Sequence, residues 1–325
     1  MNVLAADGGG TKLNALWLDG GARLIARGRG GGVNLTQTPR EAVRAHVEEC
    51  LDMLFRDGAP DEADCLYAVF VGPRDVLTES LKKRTRLRRI EWMDEAAAGL
   101  LAGAVRTEGL LALSGTGSDV FFLEKGGRHG LGGQGPILGD DGSGAWMGQQ
   151  AARAVVRDLN GWGRPTRMTP LLMDEWQARD VWDLVRTVHG SAAPFGLLSS
   201  LTRLIGQAAR EGDEEALGIV REAGRLMAVQ MLCLLGRLEK KPEDMNVTLC
   251  GGAWKTHPEM RNAFEREMRK TYPDARARRP MFEHVCAGAV RLLLEKGLSR
   301  EEVIRTVREN LPEFCAENEG GEEEK

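Results

Sequence analysis

The chain opens on the stretch Val3-Leu4-Ala5-Ala6-Asp7-Gly8-Gly9-Gly10-Thr11-Lys12-Leu13-Asn14-Ala15-Leu16-Trp17-Leu18, which decides its fold. Apolar, strand-like residues flank the three glycines on both sides, so the pattern predicts a turn between two antiparallel strands. Both common nucleotide fingerprints instead open a helix after their glycines. Here an acidic residue ends the first strand, and a hydroxyl and an amine follow the glycines. Such a turn can bind a phosphate tail and its metal without a helix dipole.

A second glycine turn lies further along the chain. Leu110-Leu111-Ala112-Leu113 predicts a strand, Ser114-Gly115-Thr116-Gly117-Ser118 a turn, and Asp119-Val120-Phe121-Phe122-Leu123 another strand. The hydroxyls and N–H groups of this turn can form a concave nest for an anion. Each turn alone is also explained as a tight hairpin whose glycines adopt positive φ. The two together predict a clamp for a triphosphate, and the repeated order of elements predicts two related α/β domains.

The most unusual segment is Gly132-Gly133-Gln134-Gly135-Pro136-Ile137-Leu138-Gly139-Asp140-Asp141-Gly142-Ser143-Gly144, in which glycines surround two adjacent carboxylates. One interpretation is structural: Asp141 or Ser143 caps the helix that follows. The other is functional: Asp140 binds a hydroxylated ligand or a hydrated Mg²⁺ ion, and the glycines let the backbone approach it. Both interpretations can hold together.

Three shorter features each allow a structural or a functional interpretation. Asp94 follows a predicted strand and begins a helix, where it either caps the helix or, in a phosphotransferase, accepts the proton of an attacking hydroxyl. Asn34 follows a glycine-rich loop predicted over Gly28 to Gly32, and is either a turn residue or a hydrogen-bond partner for a sugar. Gly251-Gly252 follows a predicted strand and marks either a helix entry or a close approach to a planar base.

Local signals also predict two helix starts. Thr38 with Glu41, and Ser299 with Glu302, have the spacing of capping boxes. The histidines show neither metal-ligand spacing nor an arrangement typical of a catalytic triad, so the sequence disfavours metal hydrolysis and triad chemistry. His46, on the first predicted helix, is expected to face solvent.

Composition excludes several classes of protein. The 325 residues suffice for two domains, and 42% hydrophobic with 28% charged residues is typical of a soluble globular protein. A net charge of −4 gives no general reason to expect nucleic acid, and the basic cluster at 82–89 is interpreted as a solvated helix face. No apolar stretch approaches the roughly 18 residues of a membrane span. Six scattered cysteines predict a reducing compartment rather than a zinc site or disulfides, so we expect a cytoplasmic protein.

Taken in order, these motifs resemble the superfamily of sugar kinases, actin and heat-shock ATPases, and within it the N-acetylglucosamine kinase-like branch of the BadF/BadG/BcrA/BcrD ATPase family. Residues 7–12 are similar to the first phosphate motif of the family, 113–118 to the second, and 247–253 to the adenosine motif. The segment 132–144 resembles the Gly-Gly-Trp-Gly…Gly-Asp-Glu-Gly-Ser signature of the branch. The resemblance implies an α/β fold of two ribonuclease H-like (actin-like ATPase) domains with a cleft between them.

The same resemblance suggests domain boundaries. The first domain is expected over 1–105, with a terminal helix at about 299–312 packing back on it. The second is expected over 106–298, with a helical insertion. Residues 316–325 are expected to form a disordered acidic tail.

The resemblance also implies roles for individual residues. Asp94 is the implied catalytic base and binds the 6-hydroxyl of the sugar, Asp7 holds Mg²⁺ through water, and Asp140 is a further metal candidate. The implied amino-sugar site comprises Asn34, Asp94, Gly133, Gln134, Gly135 and Asp140. The implied ATP site comprises Gly8, Gly9, Gly10, Thr11, Lys12, Gly115, Thr116, Gly117, Gly251 and Gly252. Within it, the two threonines are expected to contact the phosphates.

Together these roles predict an enzyme, an ATP-dependent sugar kinase that phosphorylates the 6-hydroxyl of an amino sugar such as N-acetylglucosamine. Its expected partners are the small sugar and a second copy of the chain in a homodimer, with no nucleic acid and no membrane. The chain departs from the branch pattern at three positions: Gln134 replaces a Trp, Leu13 a small hydroxylated residue, and Asp141 a Glu. Two other functions stay open, an ATP-dependent regulatory module and a sugar-binding protein without turnover.

Overall fold

The computed structural model describes residues 1–35, 38–239 and 241–315. The chain divides into two compact units. Of the described residues, those within 1–107 form the first unit together with residues 279–315, and those within 108–278 form the second. The predicted acidic tail, 316–325, lies outside the described residues.

The described residues form ten β-strands and twelve α-helices. The strands are β1 (Asn2–Gly8), β2 (Lys12–Asp19), β3 (Leu24–Gly31), β4 (Glu62–Phe70), β5 (Arg86–Trp92), β6 (Gly109–Ser114), β7 (Ser118–Glu124), β8 (Gly127–Gly132), β9 (Asn246–Cys250) and β10 (Arg276–Arg278). The helices are α1 (Arg40–Arg56), α2 (Arg74–Lys82), α3 (Glu95–Ala104), α4 (Gly144–Leu159), α5 (Met168–Glu175), α6 (Val181–Gly190), α7 (Pro194–Ser200), α8 (Thr202–Arg210), α9 (Glu214–Arg237), α10 (Pro258–Arg269), α11 (Ala287–Glu295) and α12 (Arg300–Asn310).

The two units contain sheets of the same topology. The first sheet has the order β3-β2-β1-β4-β5, and the second, read from its β8 edge, has the order β8-β7-β6-β9-β10. In each sheet the three consecutive strands at one end pair antiparallel, and the last two strands run parallel to the central one. Each glycine turn therefore joins the central strand of its sheet to the neighbouring antiparallel strand, as the sequence predicts.

Alternation along β1 builds two cores on the first sheet. Leu4 and Ala6 point to one face, where α1 and α2 contribute residues such as Val47 and Leu77. Val3 and Ala5 point to the other face, which packs against α3, α11 and α12. Because successive side chains of a strand alternate between faces, a strand that is buried on both sides reads as one continuous apolar run.

Helix α11 explains why the chain returns to the first unit. Its buried residues, among them Val290 and Leu293, belong to the same core as Val3 and Ala5. A Cβ at Gly288 would lie 2.6 Å from the Ala5 Cβ, so the helix approaches the strand closely at a glycine. Residues 279–298 consequently fold with the first unit, which differs from the predicted second domain over 106–298.

The glycines at 28–32 do not form the predicted loop, because most of them lie in strand β3. A Cβ at Gly28 would lie 2.1 Å from the Cys50 carbonyl oxygen, and a Cβ at Gly30 would lie 2.2 Å from that of His46. The alternate glycines thus let the backbone of α1 pack directly on the strand. The prediction that His46 faces solvent is also wrong, since its Nδ1 lies 2.8 Å from the Gly32 carbonyl oxygen.

The second unit surrounds its sheet with helices α4 to α10, which share one apolar core. Residues of β6 and β7, such as Leu110 and Val120, pack there against α4 and the long helix α9. Trp254 also belongs to this core, and its indole N–H donates to the Ala112 carbonyl oxygen at 3.1 Å. Among the described residues, none of the helices combines the length and apolar character needed to cross a membrane.

Candidate functional site

The first glycine turn is held in place by one backbone hydrogen bond within the turn and one from the segment after β3. Gly9 N–H donates to the Lys12 carbonyl at 2.9 Å, and Val33 N–H donates to the Gly9 carbonyl at 2.9 Å. A Cβ at Gly8 would lie 2.7 Å from the Phe70 ring, whereas at Gly9 no other atom lies within 4 Å. The turn is therefore anchored at Gly8 and open at Gly9, as a phosphate-binding turn requires.

The side chains after the glycines divide between solvent and core. Thr11 and Lys12 are exposed, and the Lys12 ammonium lies 3.4 Å from the Glu283 carboxylate. Leu13, which departs from the family pattern, is 1% exposed and packs in the core with α1 and α2. The Leu13 side chain thus belongs to the interior of the first unit, away from any ligand above the turn.

Asp7, at the end of β1, is paired with a histidine from the far end of the chain. Its Oδ1 lies 3.1 Å from His284 Nδ1, and the Nε2 of the same ring lies 3.1 Å from the Glu95 carbonyl oxygen. Burial lowers the pKa of His284, but the charge and hydrogen bond of Asp7, with the Glu95 contacts, outweigh it and raise the pKa to about 9. Asp7 therefore faces a positively charged ring at neutral pH.

Asp94 forms the N-terminal cap of α3. Its Oδ1 accepts hydrogen bonds from Ala96 N–H at 3.0 Å and from Ala97 N–H at 3.3 Å. The residue is exposed, and it directly precedes Glu95, whose carbonyl meets His284. The structural interpretation of Asp94 as a cap is thus confirmed. The role of Asp94 as a base stays a prediction.

Asn34 lies just beyond Val33, the residue whose N–H bonds the first turn. It is half-buried, and its carbonyl accepts the Thr38 N–H at 2.9 Å. The structure thus connects the predicted site residues of the first unit through short chains of contacts: Asn34 to the glycine turn, and Asp7 to the start of α3.

The second glycine turn is fastened to the segment 140–145. Ser114 Oγ donates to the Gly142 carbonyl at 2.9 Å, and Ser118 Oγ donates to the Asp141 carbonyl at 3.0 Å. Gly144 N–H, at the start of α4, donates to the Gly115 carbonyl at 2.7 Å. The serine hydroxyls therefore donate to the loop, and the anion nest of this turn stays a prediction. Gly115, Thr116 and Gly117 lie half-buried at the tip.

Asp140 is a buried carboxylate of the second unit. It is 7% exposed, its backbone adopts a positive φ of 57°, and its Oδ1 has no hydrogen-bond partner in the described part of the chain. Burial raises the pKa of Asp140, and the N–H groups of Ser118 and Gly135, which donate to the carboxylate, oppose that rise. The unpartnered oxygen can accept a hydrogen bond from a hydroxyl or from a metal-bound water.

The loop before Asp140 carries the predicted sugar-binding residues. Gly133 N–H donates to the Ser118 carbonyl at 3.0 Å, and Gly139 N–H donates to the Gly135 carbonyl at 2.8 Å, which closes a tight turn. Gln134 is exposed, and its side chain folds over Gly139, where an added Cβ would lie 3.0 Å from Gln134 Oε1. An amide thus occupies the place of the branch tryptophan. After the loop, Ser143 Oγ accepts the Trp146 N–H at 3.1 Å, so Ser143 caps α4.

The two glycines after β9 have different surroundings. Gly251 has a φ of 101°, and a Cβ there would lie 2.1 Å from the Ser114 carbonyl oxygen. Gly252 is exposed and has no other atom within 4 Å of an added Cβ. Gly251 is therefore required by its contact with the second turn, and Gly252 leaves open surface beside it.

The residues present fit a magnesium ion of the kind that binds nucleotide phosphates. No group of three histidine, cysteine or acidic side chains comes together within residues 1–35, 38–239 and 241–315. Mg²⁺ on a nucleotide is commonly bound by one or two carboxylates, with waters and phosphates completing its shell. Each unit by itself offers one carboxylate of this kind: Asp7 in the first, and Asp140, through its unpartnered oxygen, in the second.

Sequence analysis did not identify His284 as part of the site. Its two partners lie 277 and 189 residues away along the chain, so no local spacing could indicate the contact. The available signal was indirect: Asp7, a carboxylate at the end of a buried strand, needs a donor or a cation beside it.

The chain is similar to several known proteins. A model of the BadF/BadG/BcrA/BcrD ATPase family matches residues 6–289. The N-acetylmuramic acid/N-acetylglucosamine kinase of Clostridium acetobutylicum is 24% identical over 281 residues, which cover 83% of this chain and 91% of the relative. The solved structure of a candidate N-acetylglucosamine kinase from Chromobacterium violaceum has a TM-score of 0.66 and 23% identity, covering 90% of this chain and 98% of that one. A ROK family glucokinase from Streptomyces griseus, solved with glucose and AMPPNP, has a TM-score of 0.58 and 15% identity, covering 90% and 98%.

The two solved structures share the mixed α/β fold with this chain, which confirms the predicted fold class. The match to the family model spans both glycine turns, Asp94, the 132–144 segment and the glycines after β9. The chain therefore belongs to the BadF/BadG/BcrA/BcrD ATPase family.

Proposed function

We propose that the protein is an ATP-dependent kinase that phosphorylates the 6-hydroxyl of an amino sugar, with N-acetylglucosamine as the first candidate. The observation that carries this proposal is the exposed Asp94 carboxylate at the start of α3, which is linked through His284 to Asp7 at the first glycine turn. Membership of an ATPase family supports ATP as the donor. The name of the Clostridium relative, a kinase of two N-acetylated amino sugars, supports the acceptor.

In the proposed reaction, Asp94 orients the sugar hydroxyl and accepts its proton. The hydroxyl oxygen forms a bond to the γ-phosphorus of ATP while the bond from that phosphorus to the β,γ-bridging oxygen breaks and ADP leaves. Backbone N–H groups of the first turn and the Lys12 ammonium stabilise negative charge on the phosphates. Magnesium bound near Asp7 supplies further charge neutralisation on the phosphates. The phosphoryl transfer itself needs no covalent intermediate on the protein.

Each unit by itself offers groups that can bind a sugar. In the first unit these are the amide of Asn34 and the carboxylate of Asp94. In the second unit they are the backbone and amide groups of the 133–135 loop and the carboxylate of Asp140. Gln134 fits this role because its amide both donates and accepts. Leu13 does not weaken the proposal, since its side chain lies in the core.

The test is an ATP-consumption assay across N-acetylglucosamine, N-acetylmuramate, glucosamine and glucose. We expect sugar-dependent ATP turnover with an N-acetylated amino sugar, and a product whose phosphorus couples to the C6 protons in NMR spectra. Sugar-independent ATP hydrolysis would instead favour the regulatory module. Calorimetric sugar binding without ATP consumption would favour the binding protein without turnover.

A further inference from the structure

We propose that His284 is a positioning residue that fixes the Asp7 carboxylate and the start of helix α3 relative to each other. The inference rests on the proposed kinase function, because those two elements carry its metal-side carboxylate and its base. It adds a residue that lies far from every glycine motif in the sequence.

The geometry of the ring is the first argument. His284 Nδ1 lies 3.1 Å from Asp7 Oδ1, and Nε2 lies 3.1 Å from the Glu95 carbonyl oxygen. Both distances are within hydrogen-bonding range, so the ring contacts the carboxylate of Asp7 and the carbonyl of Glu95 at once.

The location of the two acceptors is the second argument. Asp7 is the last residue but one of β1 and directly precedes Gly8, which ends the strand and leads into the first turn. Glu95 is the first residue of α3 and directly follows Asp94. The His284 ring therefore links the end of β1, which leads into the first glycine turn, to the start of α3, which carries the proposed base Asp94.

The ring itself is fixed by its surroundings. The His284 side chain is 21% exposed, and the next two residues, Val285 and Cys286, are buried in the core of the first unit. The backbone before it is also tied down, since Glu283 N–H donates to the Phe314 carbonyl at 2.7 Å. A ring on such a rigid segment can hold Asp7 and α3 at a constant separation.

Positioning of this kind has a large effect on phosphoryl transfer. The reaction depends on alignment more than on covalent chemistry, and a misplacement of about 1 Å can reduce the rate by about 100-fold. Without the His284 contacts, the Asp7 carboxylate and the N-terminal residues of α3 would move independently of each other. We therefore expect the effect mainly on kcat, with less on KM.

The test compares three variants of the full chain. His284→Phe keeps a planar ring but removes both ring nitrogens, His284→Gln keeps an amide donor, and His257→Phe is the matched control. His257 is also a half-buried histidine beside a helix start, but it belongs to the second unit, where its Nδ1 accepts the Glu259 N–H at 3.2 Å.

We expect His284→Phe to lower kcat by about 10- to 100-fold, with the sugar KM changed by less than about threefold. His284→Gln should recover at least about threefold of that loss, and His257→Phe should keep the wild-type kcat. A kcat within about twofold of wild type in His284→Phe would overturn the inference, as would an equal loss in His257→Phe. If His284→Phe does not fold, His284→Gln decides: an intermediate kcat supports the inference and a wild-type kcat overturns it.

A second readout does not depend on turnover. Amide hydrogen exchange at Ala96 and Ala97, at the start of α3, should be faster in His284→Phe than in wild-type protein. Unchanged exchange at both residues would overturn the bridge. If wild-type protein phosphorylates no sugar, the proposed function fails while this readout still tests the contact. If wild-type protein is active and His284→Phe matches it, only the inference fails.

Discussion

The turn at 8–12 and the turn at 114–118 occupy the same place in two sheets of the same topology, yet their surroundings differ. The first turn has a carboxylate before its glycines, an ammonium after them and a histidine behind the carboxylate. The second turn has no charged residue within it, and its serine hydroxyls are bonded to the carbonyls of Gly142 and Asp141. The shared strand order thus determines the position of each turn in its sheet. The segments that pack around a turn determine which chemical groups surround it.

The difference has a physical origin in what packs against each turn. Residues 283–284, which follow the second unit in the chain, contact both ends of the first turn. Helix α4 instead starts beside the second turn, and its Gly144 N–H donates a hydrogen bond to the Gly115 carbonyl. The first turn therefore concentrates charge, and the second presents a rigid backbone next to a buried carboxylate.

The largest effect in the first unit is expected from Asp94→Asn. Asparagine caps a helix about as well as aspartate does, so α3 should stay folded. The variant loses the proton acceptor, and we expect kcat to fall by about 10²- to 10⁴-fold, the usual contribution of a general base. Steady-state kinetics on the sugar found in the panel measure this. Asp180→Asn, at the cap of α6, is the control and should keep wild-type kcat. Near wild-type phosphorylation by Asp94→Asn would refute the proposed mechanism.

In the second unit, the largest effect on stability is expected from Gly251→Ala. The added Cβ would meet the Ser114 carbonyl at 2.1 Å, and the φ of 101° disfavours any side chain. Backbone strain of this kind costs about 1–3 kcal/mol, to which the steric clash adds. Urea unfolding should show the loss. Gly252→Ala, which has open space, should change the free energy of unfolding by less than half as much; equal losses would contradict the contact between Gly251 and the second turn.

A smaller effect is expected from Ser114→Ala. The hydroxyl is fully buried, and its removal leaves the Gly142 carbonyl without that donor. We expect a loss of about 1–3 kcal/mol in the free energy of unfolding, the cost of an unsatisfied buried polar group. Ser200→Ala, which removes an exposed hydroxyl bonded to the Leu197 carbonyl, is the matched control. Stability equal to that of the control would mean that the hydroxyl does not hold the loop.

The features that sequence could predict are those set by neighbours along the chain. Apolar runs on both sides of the glycines located the central hairpin of each sheet, and Ser299 with Glu302 forms the predicted capping box. The capping box predicted at Thr38 does not form, because Pro39 occupies the N-cap position and no side chain caps α1. The family motifs led to the candidate site, but their residue roles stay predictions.

The features that sequence could not predict depend on distant contacts. The glycines near residue 30 resemble a loop in sequence, yet two of them serve the close packing of α1 on β3. His284 shows no motif, because its role depends on a strand end and a helix start from the other end of the chain. Both features arise from packing between distant elements, which the secondary-structure propensity of a segment does not indicate.

The smallest effect is expected from Glu283→Gln, which removes one of the two contacts that residues 283–284 make with the first turn. The Lys12–Glu283 pair is 3.4 Å long, and its side chains are 48% and 40% exposed. Exposed ion pairs contribute about 0–1 kcal/mol because water and salt screen them, so Glu283→Gln should lower the free energy of unfolding by at most that amount. The difference from wild type should vanish in 1 M NaCl, where the screening length is only about 3 Å. The His284 side chain is less exposed than that of Glu283, so a lower free energy of unfolding in His284→Phe should persist in 1 M NaCl. Equal salt sensitivity of the two variants would show that the segment acts on the turn through charge alone.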